Sequence, residues 1–91
     1  MTENELIEKL NKYANVDQLI IDLISFLKIK SNKIFLINEI DEFLISLNAY
    51  ISMIKNLDQI SKKKKGQILN ILNEIMIIYN EKLMNEICKQ I

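Results

Sequence analysis

The sequence predicts an all-α protein, an antiparallel four-helix bundle. Three observations carry that prediction. Proline is absent and glycine occurs once in 91 residues, which argues for long helices with few tight turns. Nearly half of the residues are apolar, far from a disordered composition. The apolar residues recur at the helical period over two long stretches joined by a polar turn. Isoleucine is abundant and favours strands, but here its spacing is helical, and pattern outweighs propensity. One chain of this length forms one domain with one core, burying about 60–65% of its unfolded surface.

Thr2-Glu3-Asn4-Glu5 reads as a capping box, with Thr2 accepting from a backbone N–H and Glu5 reaching back. Leu6, Ile7, Leu10, Tyr13 and Ala14 make one face of a first helix that Asn15 can end. Asp17 is suited to cap the second helix, expected over residues 17–30, with a wide apolar face of Leu19, Ile20, Leu23, Ile24, Phe26 and Leu27. Ile21 and Ile29 fall on its margins, and Lys28 and Lys30 suit its last turn.

Ser31-Asn32-Lys33 is a break. Ile34–Ile37 has no partner strand elsewhere, so it is expected as helix or extended connector, and the third helix begins at either Ser31 or Asn38. Leu36, Ile40, Phe43, Leu44, Leu47, Ile51 and Ile54 form its inner stripe, and it ends near Leu57. Ser61 is the expected cap of the last helix, whose inner stripe is Ile68, Leu72, Ile75, Tyr79, Leu83 and Ile87. Leu69, Ile71, Met76, Ile77, Ile78 and Met84 lie beyond that stripe. Either the last helix is central in the bundle, or it offers a second face to a partner. A short connection makes the last two helices an antiparallel hairpin.

Net charge is zero, so whole-molecule attraction to nucleic acid or membrane is not indicated. The distribution is uneven. Residues 1–50 hold five lysines against eight acids, and residues 51–91 hold seven against four. Lys62, Lys63, Lys64 and Lys65 form one run. A helix N-terminus disfavours cations, so the run reads either as a solvated turn or as a contact for anionic lipid or an acidic partner. Arginine is absent and no aromatic interleaves the run, which argues against nucleic acid.

Histidine is absent, removing the commonest general base and metal ligand, and Cys88 is the single cysteine. Cys88 has no partner for an intramolecular disulfide, which fits a reducing cytoplasm. With one glycine there is no phosphate-binding loop. Glu39, Asp41 and Glu42 read as a solvated helix start. No cofactor, metal site or catalytic constellation is expected, and the chain is expected not to be an enzyme. The acidic N-terminus lacks a signal-peptide pattern, and no apolar run approaches the roughly 18–20 residues that span a bilayer. The tyrosines are expected at the core edge with wet hydroxyls.

Leu44-x-x-Leu47-Asn48-x-x-Ile51, then Gln59-Ile60-Ser61, then Ile68-Leu69-x-x-Leu72-Asn73-Glu74-Ile75 resembles the second half of the immunity proteins of pediocin-like bacteriocins, the enterocin A immunity type. The resemblance covers about half of the chain. It implies a cytoplasmic bundle guarding a membrane receptor, the mannose phosphotransferase permease, once bacteriocin has engaged it. It places specificity in the last helix, from Asn80 through Met84, Ile87 and Cys88 to Ile91, and turns Lys62–Lys65 toward the membrane or the receptor. The state expected is a monomer or weak homo-oligomer. The competing expectation is a self-associating helical interaction or regulatory module of phage, plasmid or secretion origin. A third is a membrane-surface binder acting through the lysine turn.

Overall fold

The computed structural model describes residues 2–30, 33–34 and 36–90. Its elements are four helices: α1 (Glu3–Asn11), α2 (Gln18–Lys30), α3 (Ile37–Lys55) and α4 (Lys62–Lys89). The bundle measures 46 × 21 × 19 Å. The long dimension is set by α4, whose 28 residues extend about 42 Å at 1.5 Å each.

Local chemistry sets the helix starts. Thr2 Oγ1 accepts from the Glu5 N–H at 3.3 Å, the forward half of the expected capping box. Asp17 Oδ1 accepts from the Leu19 N–H at 2.8 Å and Ser61 Oγ from the Lys64 N–H at 3.3 Å, so both expected caps are present. The start of α3 differs from both expected positions. Leu36 is extended, at φ −88° and ψ 150°, and its N–H is met by Glu39 Oε1 at 3.4 Å. The helix therefore begins at Ile37, with Asn38 already in its first turn. Ile34 is a buried part of the connector, whereas Leu36 is exposed and leaves the stripe assigned to it. Ser31, Asn32 and Phe35 lie outside the described residues.

The ends of α1 and α3 differ from expectation by four and two residues, whereas α2 ends at Lys30 as expected. Helix α1 stops at Asn11, not Asn15, because the chain tightens into three-residue turns, with Tyr13 N–H bonded to Leu10 C=O and Val16 N–H to Tyr13 C=O. Helix α3 stops at Lys55, with Asn56 at its C-cap.

The core is one cluster drawn from every helix. Leu6, Ile7 and Leu10 enter from α1, and Ile20, Leu23, Ile24 and Leu27 from α2. Helix α3 adds Ile40, Phe43, Leu44, Leu47, Ile51 and Ile54, and α4 adds Ile68, Leu72, Ile75 and Tyr79. Among the described residues no polar or charged side chain is buried apart from the phenol of Tyr79. Helix α4 packs against both α1 and α3, and α1 packs in turn against α2. An aromatic chain ties the layers together. Phe26 of α2 stacks on Phe43 of α3 at 5.2 Å, and Phe43 meets Tyr79 of α4 at 4.1 Å.

Candidate functional site

Antiparallel packing brings the start of α1 to the C-terminal half of α4. The Tyr79 hydroxyl donates to the Glu3 carboxylate. Lys82 Nζ lies 3.8 Å from Glu3 Oε2 and 4.5 Å from the Tyr79 ring centroid. Tyr79 is fully buried, unlike the core-edge tyrosine expected from sequence. Burial pushes its phenol far above the ordinary range, and the hydrogen bond to Glu3 and the Glu3 charge push the same way. A phenol so held is a neutral donor, and it clamps α1 to α4. A tyrosine in an apolar stripe gives no signal of a carboxylate partner in another helix, so sequence reasoning missed it.

Cover for α4 from α1 thins out just past this clamp. Helix α1 begins at Glu3, beside Tyr79 and Lys82. Leu83 is only half-buried, and Ile87, placed by its phase on the inner stripe, is 37% exposed. On the opposite side, Ile77 and Met84 are seven residues apart and share one outward face. They are 56% and 58% exposed, among the most exposed large apolar side chains of the bundle. With Asn80, Glu81 and Asn85 they line a shallow open depression of about 280 Å³. Cys88 continues the same face as a free, exposed thiol. Asn80, Met84 and Cys88 are thus brought together on one surface, Ile87 lies at its edge, and Ile91 lies outside the described residues. The two alternatives for the additional apolar residues of α4 both hold in part. Leu69, Ile71, Met76 and Ile78 are half-buried against the core, whereas Ile77 and Met84 face outward.

Lys62–Lys65 form the first turn of α4, exposed except for half-buried Lys65. Lys65 Nζ donates to the Lys55 carbonyl at 3.2 Å, tying the start of α4 to the end of α3. Along α4, Lys63 and Met84 are about 30 Å apart. The residues predicted as one partner-binding set therefore form two surfaces at opposite ends of the molecule.

A further cleft of about 410 Å³ lies between the end of α2 and the start of α3. Phe26 and Phe43 are among its apolar residues, with Lys30, Lys33, Glu39 and Glu42 among its charged ones. Glu39 is engaged at the α3 cap. Among the described residues no group of three or more histidines, cysteines or acids is placed to hold a metal ion. No described helix is long and apolar enough to cross a membrane. No family model, curated protein or solved structure matches the chain.

Proposed function

We propose that this chain is a non-catalytic immunity protein of the pediocin-like bacteriocin type, acting in the cytoplasm on the bacteriocin-engaged membrane receptor. The observation that carries the reading is the exposed apolar face of α4, centred on Ile77 and Met84, at the end of a four-helix bundle. The resemblance to this family places specificity from about Asn80 to Ile91, a stretch that takes in Met84 of this face and not Ile77. The Ser61-capped turn between α3 and α4 coincides with the Gln59-Ile60-Ser61 stretch on which the resemblance partly rests. An outward face that contributes nothing to the core is available to read a partner.

The test is expression in a bacteriocin-sensitive strain, challenged with a panel of pediocin-like peptides. Protection against one peptide and not others, lost on Ile77→Asn and Met84→Asn substitution in a folded variant, supports the reading. Absence of protection across the panel, with soluble protein confirmed in the cells, sinks it.

The same face supports a second reading, a self-associating module, because a helix can bury Ile77 and Met84 against a second copy as readily as against a receptor. Sedimentation over a concentration series separates the two. A dimer that dissociates on Met84→Asn substitution favours self-association.

A further inference from the structure

We infer that the end of the bundle carrying the α3–α4 turn is a docking surface for an anionic lipid bilayer, built from six lysines on three helices. The fold assembles what the sequence scatters. Lys62–Lys65 begin α4, and Lys55 ends α3 beside them, its carbonyl bonded to Lys65 Nζ. Lys12 follows α1 and reaches the same end, because the neighbouring Tyr13 hydroxyl donates to Gln67 Oε1 at 2.9 Å, in the second turn of α4. All but Lys65 are exposed. Within the terminal turns at this end the acids are Asp17, which caps α2, and Asp58 in the turn, an excess of four positive charges there; Asp22 lies one turn further along α2, bonded to Gln18. The ion pairs of the described residues, Lys82–Glu3 and Lys89–Glu86, lie at the other end. None of the six lysines is neutralised by a side-chain partner among the described residues.

Zero net charge does not cancel this surface. Of the other ten acids, Glu3, Glu5, Glu39, Asp41, Glu42, Glu81 and Glu86 lie in the half of the 46 Å molecule away from the lysines, and Glu8, Asp22 and Glu74 lie along its flank. The Debye length is about 8 Å at physiological ionic strength, so a membrane touching the lysine end does not sense the acidic one. Two helices begin and two end at this pole, so their dipoles largely offset, and the field comes from the lysines.

The chemistry selects lipid over nucleic acid. Lysine is a point charge without the bidentate fork that arginine offers bases and phosphates, and the chain has no arginine. Tyr13, the aromatic side chain nearest this end, is engaged with Gln67, so no stacking platform is offered. What remains is the blunt end of a bundle 21 × 19 Å in cross-section, matched to a smooth anionic plane. This inference does not depend on the immunity reading and stands or falls separately.

Co-sedimentation with phosphatidylcholine vesicles, with and without phosphatidylserine, tests it at low and physiological salt. Binding is expected only to the anionic vesicles and to weaken with salt. Each lysine near the surface contributes about fivefold in affinity. The Lys62→Gln, Lys63→Gln, Lys64→Gln, Lys65→Gln variant is therefore expected to lose affinity by roughly several hundredfold. The same number of changes at the far end, Lys28→Gln, Lys30→Gln, Lys33→Gln and Lys89→Gln, leaves binding nearly intact, with folding of both variants checked by helical content. A polarity-sensitive dye on a Gln59→Cys, Cys88→Ser variant shifts on binding, whereas the dye on native Cys88 does not. No binding at low salt, equal loss in both quadruple variants, a shift at Cys88 instead of position 59, or binding to single-stranded RNA with none to vesicles overturns the inference.

Discussion

The hydroxyl of Tyr79 in α4 donates to the carboxylate of Glu3 in α1, linking residues 76 positions apart. Tyr79 is fully buried and the Glu3 side chain is 10% exposed, so this bond is shielded from water. Hydrogen bonds to charged groups contribute about 1.5–3 kcal/mol. Tyr79→Phe is expected to lose an amount in that range, and each kcal/mol lowers Tm by about 4–8 °C in a domain of this size. Glu3→Gln in the Tyr79→Phe background should add little. Fully additive losses in this double-mutant cycle would show that the two side chains are not coupled. Lys82→Ala should cost less than about 1 kcal/mol, because Lys82 is 40% exposed and its ion pair is screened.

The same bond predicts alkaline sensitivity. Tyr79 is held neutral in the fold, first by burial and then by Glu3, and its pKa lies far above the ordinary value of about 10. In the unfolded chain the phenol ionises as pH passes about 10. The unfolded state then binds fewer protons than the folded one. The stabilisation is fully present below that pH and declines above it, at about 1.4 kcal/mol per pH unit. Denaturant midpoints across this range, compared between wild type and Tyr79→Phe, isolate the term from lysine titration. Parallel pH profiles for the two proteins would remove Tyr79 as its source.

Gly66 lies within the second turn of α4, and a Cβ built there meets nothing within 4 Å. Its backbone is helical and needs no glycine. Gly66→Ala is expected to stabilise the protein by about 0.5–1 kcal/mol, through helix propensity and a less flexible unfolded chain. A thermal melt reads this as a higher Tm. A lower Tm would mean that the start of α4 is not helical in solution.

These contrasts mark what the sequence could disclose. Caps at Asp17 and Ser61 were legible because a polar side chain ahead of an apolar period satisfies an exposed N–H locally. The inner stripes of α2 and α3 were legible because burial follows the helical period. The cap of α3 was not, since Leu36 offers no acceptor and the bond runs backward from Glu39. The stripe of α4 stays in phase through Ile87, yet the cover that α1 provides thins out past Tyr79 and Lys82, where α1 begins, and periodicity carries no information on where a neighbouring helix starts. The lysine run was visible, but its merger with Lys12 and Lys55 depends on helix pairing, as does its distance from Met84.

Lysines in the first turn of α4 work against the fold, because the positive end of the helix dipole repels them by about 0.3–1 kcal/mol each. Lys62 and Lys63 are exposed and form no side-chain hydrogen bond or ion pair among the described residues. Lys65 differs, since it bonds the Lys55 carbonyl. The Lys62→Glu, Lys63→Glu variant should therefore be more stable than wild type by about 1 kcal/mol, as new carboxylates meet the free N–H groups of the first turn. The same variant should lose binding to phosphatidylserine vesicles, having changed sign at the centre of the basic end. A higher Tm together with lost vesicle binding means that the lysines are retained for contact and not for stability. A Tm lowered by the double substitution would show that the run supports the fold, and would leave its position at a helix N-terminus without a functional reason.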